Sequence, residues 1–147
     1  MSSSRRKELA RRLAYAVRQS IASAILYNQK VADDTGINLR DLQVLHLLTL
    51  HGPSTPRDLA RQACVTTGGM TVILDRLEKG SFVRREDNPA DRRSCIVHLI
   101  PGSLRKLEGA YKGKSEMLDA LIERYGERDL RLLVEFFDAL NGEESNA

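Results

Sequence analysis

Between Thr55 and Ile100 the hydrophobic pattern changes period once, at Gly80, and that change constrains the fold more than any other feature of the chain. Before it the pattern is helical. Thr55-Pro56-Arg57-Asp58 is a helix start: Thr55 can cap, Pro56 suits the first helical position, and Asp58 is placed to complete a capping box. The helix it opens is short, about residues 56–63. A polar turn, Val65-Thr66-Thr67-Gly68-Gly69, leads into a second helix in which Met70, Ile73, Leu74 and Leu77 form the inward stripe, Thr66 or Thr67 can cap, and Gly80 is the stop. Beyond Gly80 the chain reads as two extended runs, residues 82–86 and the β-branched 94–100, around a turn-forming loop, Asp87-Asn88-Pro89-Ala90-Asp91-Arg92-Arg93. Two short strands about a charged loop make a β-hairpin.

On either side the chain is helical. Leu9, Leu13, Val17, Ile21, Ala24, Ile25 and Asn28 recur at three- and four-residue steps, which predicts a helix over about residues 5–32, ended by Asp33-Asp34-Thr35-Gly36. A second helix covers about 40–51 with Leu42, Leu45 and Leu48 inward, and Gly52-Pro53 ends it. After Pro101-Gly102-Ser103 come two more helices separated by Gly126, with Leu130, Leu133, Val134, Phe137 and Leu140 on the last. The fold class expected is mainly α with a small β-hairpin wing. Residues 39–100 have the element order of a winged helix-turn-helix, flanked by a helical segment at 1–38 and helices plus a polar tail at 101–147. The outer stripes carry more apolar surface than the small middle unit can cover. Packing them against each other and against a second copy of the chain, as a homodimer, is the simplest solution.

The 147 residues allow one domain with an appendage, and the hydrophobic share of 41% supports a packed core. No run is long and apolar enough to span a bilayer, so no membrane partner is expected. The basic start MSSSRRKELARR is not followed by an apolar segment, so no secretory signal is expected either. Cys64 and Cys95 stand in no metal-like spacing and make no disulfide framework, which points to a reducing, cytoplasmic setting. Both are expected to behave as small, mostly buried apolar residues. The net charge of +3 hides an asymmetry: residues 1–20 carry six basic groups and one acid, whereas residues 101–147 carry seven basic groups and ten acids. A basic start and middle point weakly to a polyanion partner. Enzymatic chemistry finds no support. His46, His51 and His98 share no motif with an acid or a cysteine, and there is no phosphate loop, nucleophile elbow or zinc-like cysteine set, so neither metal nor cofactor is expected.

In a helix-turn-helix the second helix enters the major groove and its first residues meet base edges. Here those are Thr66, Thr67, Gly68, Gly69 and Thr71: hydroxyls that can bond phosphates or bases, and glycines that let backbone amides approach a phosphate. The loop Asp91-Arg92-Arg93 is a hairpin tip with two arginines, suited to the negative potential of a narrow minor groove, with Asp91 placed to orient Arg93. Arg57, Arg84 and Arg85 stand where phosphates would run, and Arg76 either pairs with a nearby acid or joins them as a phosphate contact.

Residues 65–80, with Met70-Thr71 and Leu74-Asp75-Arg76-Leu77-Glu78-Lys79-Gly80, followed by Phe82-Val83-Arg84-Arg85 and Asp91-Arg92-Arg93, resemble the signature of the MarR (multiple antibiotic resistance regulator) family. Leu59-Ala60 and residues 39–52 fit as well, and the resemblance spans about residues 5–140. It implies a winged-helix dimer joined through the outer helices, binding to double-stranded DNA at an inverted repeat, usually repression, and release by a small aromatic or phenolic effector or by oxidation. In such dimers a ligand pocket forms beside the dimerisation helices, for which Tyr15, Tyr27, His46 and Leu50 are the candidates here. Three departures stand out. Relatives often carry an arginine near Val72 and Ile73, so base readout here is expected to rest on the threonines. The chain reads Leu99-Ile100-Pro101-Gly102 where a leucine–threonine pair is usual. It also lacks the early cysteine of the peroxide-sensing members.

The function expected is thus a homodimeric, sequence-specific DNA-binding transcription regulator, in the form of a repressor released by a small ligand. The alternative is a winged-helix dimer acting as a protein- or ligand-binding adaptor without specific DNA recognition.

Overall fold

The computed structural model describes residues 2–144; residue 1 and the end of the expected polar tail, 145–147, lie outside it. The order is α1 (Ser2–Thr35), α2 (Leu39–His51), α3 (Pro56–Gln62), α4 (Thr67–Lys79), β1 (Val83–Asp87), β2 (Cys95–Leu99), α5 (Arg105–Ile122) and α6 (Glu127–Glu144). This is the expected mainly helical architecture with one antiparallel hairpin. The chain divides into two compact units, Met1–Leu107 and Glu108–Ala147. The first therefore holds α1 together with the winged region, and the second starts inside α5.

In the first unit the core forms where the helical and extended patterns converge. Leu42, Val44, Leu45 and Leu48 of α2, Leu59 and Ala60 of α3, Met70, Ile73, Leu74 and Leu77 of α4, and Val83 and Val97 of the hairpin are all buried. A buried leucine of this kind contributes about 1.5–3 kcal/mol relative to an exposed one. Both inward stripes read from the sequence, on α2 and α4, are among these residues.

The helix starts are held by side chains. Asn38 accepts the Arg40 N–H at 2.9 Å, Thr55 the Asp58 N–H at 3.2 Å, and Thr66 the Gly69 N–H at 3.0 Å. At α3 only half of the expected capping box forms. The Asp58 carboxylate reaches forward to Arg61 at 3.3 Å instead of back to the backbone, because it is one methylene shorter than the glutamate that closes such a box.

The ends of α3 and α4 share one design. Val65 N–H bonds the Ala60 carbonyl at 3.0 Å, and Phe82 N–H bonds the Leu77 carbonyl at 2.9 Å. The residue before each, Cys64 and Ser81, is left-handed with φ of 52° and 60°. Gly80 is the expected stop of α4, with φ of −78°. Its lack of a side chain matters for space: a Cβ there would lie 3.0 Å from the Phe82 ring and 3.3 Å from the Arg76 carbonyl.

β1 and β2 pair with Val83 opposite Leu99, Arg85 opposite Val97 and Asp87 opposite Cys95. Ser54, in the link between α2 and α3, exchanges two backbone hydrogen bonds with Val97, at 2.8 and 3.2 Å. This bridge ties the start of the helix-turn-helix to the wing, and no β-pattern around Ser54 announces it.

α1 is 34 residues long, extending about 50 Å at 1.5 Å per residue. Near its end Val31 and Ala32 are buried, while Leu9, Leu13, Ile21 and Ile25 are exposed. In the second unit, Leu118, Leu121 and Ile122 on α5 and Leu133, Val134 and Phe137 on α6 are exposed too.

Candidate nucleic-acid interface

The residues expected to meet the major groove gather at the start of α4, and their hydroxyls are in different states. Thr66 spends a lone pair on the Gly69 N–H and keeps its proton. Thr71 does the reverse: its hydroxyl donates to the Thr67 carbonyl at 3.0 Å, so outward it can only accept. Thr67 is exposed and carries no side-chain bond among the described residues. The two glycines also differ. A Cβ on Gly69 would press on the Thr66 hydroxyl at 3.1 Å, whereas a Cβ on Gly68 would meet nothing within 4 Å.

The wing tip is built from the loop backbone. Asp91 accepts the Arg93 N–H at 2.9 Å through its carboxylate, and its carbonyl accepts the Ser94 N–H at 3.1 Å. Asp91 thus shapes the turn under Arg93 by holding the main chain, where the sequence had suggested a grip on the guanidinium. Arg92 and Arg93 are exposed at this tip, and Arg57 is exposed at the start of α3; none of the three has an acidic partner among the described residues.

The other expected phosphate contacts are held differently. Arg76 faces α2, giving Nε to Asp41 Oδ2 at 3.0 Å and Nη2 to Asp41 Oδ1 at 2.7 Å. This hydrogen-bonded partner holds the Arg76 guanidinium above its ordinary pKa. Arg85 lies on the Val83 face of β1, half covered, with Nη2 on Asp75 at 2.8 Å and Nη1 3.6 Å from Glu78. Arg84, on the opposite face, pairs with Glu86, which also meets His98 Nε2 at 3.0 Å. Period-two alternation puts Arg84 and Arg85 on opposite faces, and only Arg85 can reach α4. Arg76 and Arg85 therefore act here as ties between elements.

On the outward face of α4, Val72 entered the sequence reading only as the place of a missing arginine, and Lys79 escaped it. Both are exposed, and both lie opposite the Met70–Ile73–Leu77 stripe at 100° per residue, the one signal that could have found them.

Cys64 is exposed and Cys95 partly so, which corrects the expectation of burial. Cys64 is turned outward by its left-handed cap position. Of the ligand candidates, Tyr15 is exposed on α1. Tyr27 and His46 are half-buried and Leu50 is exposed. No group of three or more His, Cys, Asp or Glu residues suited to a metal occurs among the described residues, and none of their helices is long and apolar enough to cross a membrane.

A helix-turn-helix with an arginine-tipped hairpin defines a class of DNA-binding winged-helix proteins, and comparison with known proteins narrows the class. The model of the MarR family matches residues 37–95. The HTH-type transcriptional regulator YcgE of Bacillus subtilis (strain 168) is 30% identical over 131 residues, covering 89% of this chain and 85% of that one. The HTH-type transcriptional regulator FarR of Neisseria gonorrhoeae is 32% identical over 113 residues, covering 71% and 77%. Among solved structures, NadR in complex with 4-hydroxyphenylacetate superposes with a TM-score of 0.65 at 26% identity, covering 85% of this chain and 89% of that one. The chain belongs to the MarR family of DNA-binding transcription regulators.

Proposed function

We propose that the chain works in the cytoplasm as a homodimeric repressor that binds an inverted repeat in double-stranded DNA, with no enzymatic activity of its own. α4 enters the major groove with Thr66, Thr67, Gly68, Gly69 and Thr71 at its leading end. Arg92 and Arg93 enter the adjacent minor groove from a turn shaped by Asp91, and Arg57 contacts phosphate. Two-fold symmetry sets the half-sites about 10 bp apart, one helical turn. The exposed leucines, isoleucines and phenylalanines of α1, α5 and α6 supply the surface that a second copy covers.

The observation that carries this reading is the division among the arginines. Arg57, Arg92 and Arg93 make no ion pair among the described residues, while Arg76, Arg84 and Arg85 do. Unpaired guanidinium groups at a hairpin tip and a helix start are held ready for phosphate oxygens and groove edges. The adaptor alternative is not favoured by the regulator relatives. Release by a small aromatic or phenolic ligand is supported by the complex of NadR with 4-hydroxyphenylacetate.

The salt dependence of binding to a selected duplex tests the reading. Arg92→Ala should lower the slope of log K against log salt by about one unit for each phosphate that the side chain neutralises. Arg93→Ala should cost on the order of 1–3 kcal/mol per half-site if it reads a groove edge. Unchanged affinity and slope in both variants would remove the wing from the function.

A further inference from the structure

α4 departs from what stability alone would choose at two positions on one face. Val72 is 54% exposed, although its neighbours Ile73 and Leu74 are buried. A β-branched side chain in mid-helix loses rotamer freedom, and an exposed one gains no burial in return. Gly68 lies one turn before it on the same face, and nothing within 4 Å of a Cβ there explains the glycine. A helical side chain leans towards the N-terminus, so the Val72 isopropyl group overlies the turn that Gly68 leaves bare.

Lys79 stands at the far end of that face, and over the first turns it offers no other base reader of reach. Asp75 is held by Arg85, and Arg76 by Asp41. Over its first two turns the outward face of α4 therefore presents Thr67, Gly68, Thr71 and Val72: hydroxyls, a bare backbone and apolar methyl groups, with no guanidinium for a guanine edge.

We infer that Val72 is a specificity-determining residue whose isopropyl group meets the C5-methyl group of a thymine in the major groove. The inference rests on the reading that α4 enters that groove. Thymine is the one base that presents a methyl group there, and apolar contact is the means by which it is recognised. Gly68 lets the helix backbone come close enough for the short valine side chain to reach the groove floor.

Deoxyuridine substitution provides the test, since it removes that methyl group and leaves every hydrogen-bonding edge in place. A duplex enriched from a random pool is synthesised with each thymine replaced in turn, symmetrically in both half-sites, and its affinity is measured at fixed salt by fluorescence anisotropy. The wild-type protein should lose about four-fold per half-site at one symmetric position, the effect of one methyl group returned to water. Val72→Ala, whose exposed site should leave folding intact by circular dichroism, should bind thymine and uracil equally at that position. The inference is overturned if the enriched duplex has no thymine facing α4, if the wild type is indifferent to uracil everywhere, or if Val72→Ala keeps the full difference. In those cases the enriched duplex itself upholds groove binding, whereas failure to enrich any duplex overturns both readings.

Discussion

Asp41 on α2 and Arg76 on α4 make a two-point contact across the heart of the helix-turn-helix, Nε to Oδ2 at 3.0 Å and Nη2 to Oδ1 at 2.7 Å. The acid is 5% exposed, the one buried charged side chain among the described residues. Arg76 opens to solvent on its other side. A buried carboxylate is costly unless it is paired and hydrogen-bonded, and a planar fork meets both oxygens at once. The pair fixes the angle at which α4 crosses α2, and so the direction in which Thr67, Thr71 and Val72 point.

The first prediction follows from that geometry. Arg76→Ala leaves a buried carboxylate unpaired and should lower the urea midpoint more than Asp41→Asn, which removes the buried charge together with the pair. Arg76→Lys should rescue only part, because a single ammonium cannot serve both oxygens. The salt slope of DNA binding should stay at the wild-type value in the double variant Asp41→Asn, Arg76→Gln, which removes both charges of the pair, measured well below its unfolding midpoint. A slope reduced as far as in Arg92→Ala would return Arg76 to the phosphate contacts.

Cys64 holds a left-handed backbone, with φ of 52°, at the turn before α4. Glycine adopts this conformation without the Cβ clash. Cys64→Gly should therefore raise stability by about 0.5–1 kcal/mol, the relief of strain less the greater freedom of glycine in the unfolded chain. Cys64→Ala keeps the Cβ and should show no such gain. Urea titration of the two variants decides the matter, and equal midpoints would deny the strain. Because Cys64 is exposed, a maleimide should label it in the folded protein faster than Cys95.

Burial pushes the His46 imidazole below its ordinary value of 6.5. The unfolded chain thus takes up a proton at this residue at a higher pH than the folded one. The stability that neutral His46 contributes is fully present above the unfolded value and declines as pH falls through 6.5 towards the lowered folded value. Replacing His46 with glutamine should flatten that part of the stability profile between about pH 7.5 and 5.5. Urea midpoints across the range provide the check; parallel profiles for the two proteins would contradict it.

The elements whose pattern repeats over several turns were legible in the sequence. The α2 and α4 stripes, the change of period at Gly80 and the Asp91-Arg92-Arg93 tip all stand where the residues put them, because burial and turn chemistry are local and periodic. What was not legible depends on contacts between distant positions. Nothing near Asp41 marks it as the partner of Arg76, since a first-turn aspartate is ordinary helix chemistry. The Ser54–Val97 bridge has no strand pattern on the Ser54 side. Arg84 and Arg85 read alike until the register assigns them to opposite faces. Cys64 was misread because left-handed cap positions are usually glycine, and a cysteine there carries no signal of exposure.

The central claim is that two copies of this chain place two α4 helices and two arginine-tipped wings on one duplex. The most direct measurement is the mass of the complex formed with a duplex enriched from a random pool, together with the symmetry of the enriched sequence. The account predicts two chains per duplex on an inverted repeat whose half-sites lie about 10 bp apart. One chain per duplex on an asymmetric site, or no enriched sequence at all, would contradict it.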